Sequence, residues 1–153
     1  MKLALTTIIA FALATLASIA EMRHVGDFVL FSRSKLTGEK IQAMPIKPMT
    51  FHVSTDGVQV HVKLDDKEET NIFYVYASEG IGQLNKDSNT LEIVPGIQAS
   101  SNKGGELRHL RLTTGEMTIT TFPARSDQAV VIHAVAIDKN KPVAQATNLP
   151  NEP

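Results

Sequence analysis

The residues of this chain best suited to chemistry are its five histidines, and two of them stand in one short segment. In FHVSTDGVQVHVKL, Phe51 and Val53 flank His52, while Val60, Val62 and Leu64 alternate with His61 and Lys63. Asp56-Gly57 between the two halves predicts a β-hairpin, because glycine accepts the positive φ of a tight turn. With those two residues as the turn, Val53 faces Val60 and His52 faces His61. The histidines then form a non-hydrogen-bonded pair on the polar face, with Cβ atoms about 4.5–5.5 Å apart. Two imidazoles at that spacing are candidate Zn or Cu ligands, although a stable site needs a third or fourth donor. His109 sits with Arg111 on the polar face of another predicted hairpin, but no spacing shows that the two hairpins adjoin. The plainer expectation is two solvated histidines.

Other constellations are weaker. His133 lies in AVVIHAVA, where a core histidine satisfied by backbone or water is expected before a catalytic base. Asp65, Asp66, Glu68 and Glu69 offer the oxygens calcium favours, yet lack the spacing and glycine of a calcium loop. They predict a charged hairpin tip. The absence of cysteine excludes a thiol nucleophile, and there is no Gly-x-Ser-x-Gly elbow. With no Trp and only two tyrosines, Tyr74 and Tyr76, the chain has little aromatic platform for sugars. QASSNKGG is followed by no helical pattern, so it is not a phosphate cradle. No cofactor motif is present.

The elements that must carry these residues show a hydrophobic period close to two. Residues 27–32 predict a first strand. Pro45 and Pro48 exclude a central strand or helix from AMPIKPM. NIFYVYA predicts a strand broken by Gly80, Gly82 and NKDSN, and TLEIV another ended by Pro95-Gly96. Residues 96–105 are expected to be a flexible loop and the longest candidate contact loop. LRHLRLTTGEMTITTF predicts a second hairpin turning at Thr114-Gly115, with Leu112 opposite Met117 and Leu110 opposite Ile119. QAVVIHAVAI predicts a central strand covered on both sides. Seven to nine short strands with hairpin turns predict an all-β fold, an antiparallel sandwich or barrel.

The first twenty residues bound the setting. Lys2, an apolar run over 3–16 and small residues at Ser18 and Ala20 have the layout of a signal peptide cleaved after Ala20. An uncleaved anchor is the alternative, but 18 apolar-biased residues lie at the short end of the roughly 17–25 needed. The expected divisions are a leader over 1–20, a β domain over 21–138 and a flexible tail over 139–153. Without the leader, 14 basic residues face 16 acidic ones, a net charge of −2. Such a domain has no electrostatic footprint for nucleic acid. With no disulfides, apolar burial and backbone pairing must hold it. These features predict a secreted or periplasmic non-catalytic β domain that binds a protein or small ligand. The alternatives are a metal- or carboxylate-dependent enzyme using the His52/His61 face, and a structural subunit assembling through edge strands.

Overall fold

A computed structural model describes residues 21–137, apart from 79 and 86. The predicted leader over 1–20, with its helix, and the predicted tail over 139–153 lie outside the described residues. Ten strands follow in chain order: β1 (Arg23–Thr37), β2 (Lys40–Ala43), β3 (Thr50–Thr55), β4 (Gln59–Leu64) and β5 (Thr70–Ala77), then β6 (Gly80–Asn85), β7 (Thr90–Lys103), β8 (Glu106–Thr113), β9 (Glu116–Phe122) and β10 (Gln128–Ala136).

Eight of them close into an antiparallel barrel in the order β1-β3-β4-β5-β7-β8-β9-β10, with β10 pairing back onto β1. Closure removes the open sheet edges that an exposed hydrogen-bonding row would otherwise present. β2 pairs with the end of β1, and β6 pairs with the first half of β7 as a projecting hairpin. Of the two expected architectures the fold is the barrel.

The alternation in sequence explains the inside. Phe51 and Val53, Val60 and Val62, Phe73, Leu110 and Leu112, and Met117 are all buried and all point inward from alternate positions. Phe28, Ala99 and Ala134 complete the core from β1, β7 and β10.

Several expectations change. β1 is far longer than residues 27–32, because its first part pairs with β3 and its second with β10 and β2, so backbone pairing extends the strand beyond the apolar alternation. Residues 80–85 pair as β6 instead of breaking a strand. Pro95-Gly96 does not end a strand: β7 runs through it, and Pro95 sits where the strand gives up β6 as a neighbour, a place that tolerates a missing donor. Residues 96–103, expected as a flexible contact loop, are paired along their length with β8. Only Gly104 and Gly105 form the turn, with φ of +62° and +82°. β10 is central in the barrel, but its outer face is only partly covered, so His133 is a half-buried outer residue and not a core one. It lies edge-on to Phe31, with ring centroids 5.6 Å apart, and 3.7 Å from the Glu116 carboxylate.

Candidate binding site

The β3–β4 hairpin exists, but its register differs from the expected one by two residues. His52 faces Lys63 and His61 faces Ser54, so the histidines are diagonal neighbours on the outer face. The cause is Asp56. Its Oδ1 accepts from the Val58 and Gln59 amides at 2.8 and 2.6 Å, which moves the turn to Gly57-Val58, with Gly57 at φ +88°.

The two imidazoles also have separate partners. His52 bridges two carboxylates: Nδ1 donates to Asp27 Oδ1 at 2.8 Å and Nε2 to Asp65. The Asp27 and then the Asp65 hydrogen bond hold His52 above its ordinary pKa, and His52 in turn holds Asp65 below the usual carboxylate range. His24 lies 3.4 Å from the same Asp27 oxygen. A protonated His52 presents N–H groups to its neighbours and no lone pair to a metal. His61 Nε2 is 3.1 Å from Gln59 Oε1. His109 contacts Tyr76 on β5, and two strands, β5 and β7, separate β8 from the β3–β4 hairpin. Among the described residues, no group of three or more His, Asp or Glu is arranged to hold a metal ion. The acidic run is a charged hairpin tip, with Asp65 on His52 and Glu69 on Lys103.

A concave site among the described residues lies elsewhere, inside one end of the barrel. There the β2–β3 connection, the β4–β5 loop, the β7–β8 turn and the end of β9 surround a cavity of about 400 Å³. Its walls are apolar: Met49, Phe51, Val62, Leu64, Phe73, Ile119 and Ile132. Its polar groups are Arg33, Lys67, Glu69, Asn71, Lys103, Arg108 and Thr121. An apolar pocket with a few converging polar groups is the usual form of a small-molecule site, and barrel mouths are a common place for one.

Backbone register places these side chains. Arg108 opposes Ser101 and Thr121 on the inward face of β8, two residues from Leu110. Its Nη1 reaches across β7 to donate to Asn71 Oδ1 on β5 at 2.9 Å, and Nη2 donates to Glu106 at 3.0 Å. Nε of Arg108 is buried with no acceptor. Arg33 owes its inward direction to a β-bulge. Leu30 pairs with Ala134 and Ser32 with His133, which leaves Phe31 as the extra residue. That insertion moves Ser32 outward and Arg33 inward, opposite Ile132.

Of these mouth residues the sequence singled out only Glu69, in the acidic run, and Lys103, in the expected 96–105 contact loop; Arg33, Lys67, Asn71 and Arg108 did not stand out. The signal for Arg108 and Asn71 was parity: Arg108 shares its face with Leu110 and Leu112, Asn71 with Phe73. Arg33 had no such signal, since the bulge that turns it inward leaves no pattern. The fold and site together define a closed antiparallel barrel with an apolar floor and a basic rim. Compared with known protein families, curated proteins and solved structures, the chain matches none.

Proposed function

We propose that this protein is an exported, non-catalytic β-barrel that binds a small ligand in the open end of its barrel. One observation carries the reading. The interior is packed with side chains around Val53, Val60, Leu112 and Met117, yet it opens into a 400 Å³ cavity at the other end. An eight-stranded barrel has just enough interior for side chains or for one small ligand, and this one divides its interior between the two.

The test is binding of Nile red, a neutral apolar dye, followed by fluorescence, in the wild type and in Met49→Trp. Met49 lines the cavity from the connection before β3, so the indole plugs the mouth without replacing a strand residue. Dye enhancement in the wild type and its loss in a folded Met49→Trp is the expected outcome. Equal enhancement in both places the dye elsewhere and sinks the reading. Export is tested apart from binding, by amino-terminal sequencing of the secreted product, expected to begin at Glu21.

A second reading, assembly through an edge strand, draws on the β6–β7 hairpin. Among the described residues β6 pairs only with β7, and Leu91 and Ile93 are 74% and 78% exposed. Sedimentation that shows a monomer at high concentration removes it.

A further inference from the structure

We infer that the ligand carries an anionic oxygen head, received at the rim by Arg108, Arg33 and Lys67, with an apolar tail on the floor below. This rests on the cavity as the binding site and adds the chemical class of its occupant.

Charge is the first ground. Arg33, Lys67, Lys103 and Arg108 line the cavity, whereas among the described residues Glu69 is the only carboxylate that does. Lys103 is paired with Glu69, and Arg108 with Glu106. Among the described residues, neither Arg33 nor Lys67 has a carboxylate within 4.0 Å. The β4–β5 loop carries further acids in Asp65, Asp66 and Glu68, but these lie off the cavity wall. Even with Glu106 counted, four cations face two carboxylates, in a chain whose net charge is −1. The excess is local to the mouth.

Unused donor capacity is the second ground. Arg108 is held in place by Asn71 and Glu106, so its guanidinium is fixed before any ligand arrives. The buried Nε–H nevertheless has no acceptor. The Arg108 side chain is still 25% exposed, and an oxyanion at its open edge adds a second charge-assisted bond beside the one to Glu106. Below that rim the wall changes at once to Phe51, Val62, Phe73 and Ile119. A polar head and an apolar body are therefore both recognised, in that order from the opening. Carboxylate and phosphate heads share this chemistry.

Titration calorimetry of the chain from Glu21 onward with decanoate, decyl phosphate and decanol separates the possibilities. Both anions are expected to bind at least about tenfold more tightly than decanol, and to weaken with added salt. The tighter of the two anions identifies the head group. Arg108→Gln is expected to remove most of the preference over decanol while leaving decanol binding in place. If Arg108→Gln fails to fold, Arg33→Gln/Lys67→Gln at the rim decides, with a preference reduced several-fold. Decanol binding as tightly as decanoate overturns the anionic head and leaves the cavity reading standing. A preference unchanged in the folded variants overturns it too. Binding of none of the three ligands, together with no Nile red enhancement, overturns the cavity reading itself.

Discussion

Gly96→Ala tests how the projecting β6–β7 hairpin joins the barrel. Gly96 is the residue at which β7 stops pairing with β6 and takes β8 as its neighbour. A Cβ there would lie 2.4 Å from Ile81 Cδ1 and 2.7 Å from the Leu112 carbonyl oxygen. The Ile81 side chain can rotate away, at the expense of its own burial. The Leu112 carbonyl cannot, because Leu112 is opposed to Ile97 in the β7–β8 ladder. Overpacking of this kind costs about 1–3 kcal/mol. Replacing glycine by alanine within a strand returns about 0.5–1 kcal/mol. The net loss is then about 0–2.5 kcal/mol with a central value of about 1.3 kcal/mol, or about 5 °C in Tm at ~4 °C per kcal/mol for a domain of this size. The assay is thermal melting followed by far-UV circular dichroism, with Gly115→Ala as the control. A methyl group on Gly115 would meet no atom within 4 Å, and its φ is not positive, so the alanine variant should melt with the wild type or slightly above it. Adding Ile81→Ala to Gly96→Ala should not restore the wild-type Tm, since the carbonyl contact remains. A Gly96→Ala protein that melts with the Gly115→Ala control would refute the packing described for this junction.

Three further outcomes follow from the same geometry. His52→Gln should lower stability in a pH-dependent way. The raised His52 pKa contributes stability that is complete below its ordinary value of 6.5 and is lost as pH rises through the higher folded value. The lowered Asp65 pKa contributes above 3.8 and is lost as pH falls through the folded value. The gap in urea midpoint between wild type and His52→Gln should therefore be larger at about pH 5 than at about pH 9, and a gap that widens with pH contradicts the bridge. Phe73→Ala, at a side chain 1% exposed between core and cavity floor, should cost about 3–5 kcal/mol in urea unfolding. Leu91→Ser/Ile93→Ser on the exposed hairpin should change the unfolding free energy by no more than about 0.5 kcal/mol per site.

Hairpins were legible in the sequence to the extent that their turns were. Thr114-Gly115 turns as a two-residue loop, and Leu112 and Leu110 oppose Met117 and Ile119 as predicted. Asp56-Gly57 has the same look, but the Asp56 carboxylate caps the Val58 and Gln59 amides and moves the turn by one residue. The register then slips by two, which keeps every side chain on its own face. Hydrophobic alternation cannot detect such a slip: Val53 meets Val62 instead of Val60 and the core is as apolar as before. On the polar face the slip separates His52 from His61.

Closure was hidden for a different reason. The pairing of β10 with β1 joins residues about a hundred positions apart and leaves no local trace. Without it, neither the mouth nor the convergence of Arg33 with Arg108 can be inferred. The bulge at Phe31 adds a second obstacle, because strict alternation from Phe28 and Leu30 would turn Ser32 inward and Arg33 to solvent.

The most direct measurement is an amide and methyl NMR titration of the chain from Glu21 onward with decanoate. Shift changes should concentrate at the cavity wall, on Asn71, Phe73, Arg108, Ile119 and Ile132, and leave the outer His52–Asp27 bridge and the β6–β7 hairpin unmoved. Saturable changes confined to the outer face or to the hairpin, with the wall residues still, would contradict a ligand site in the barrel.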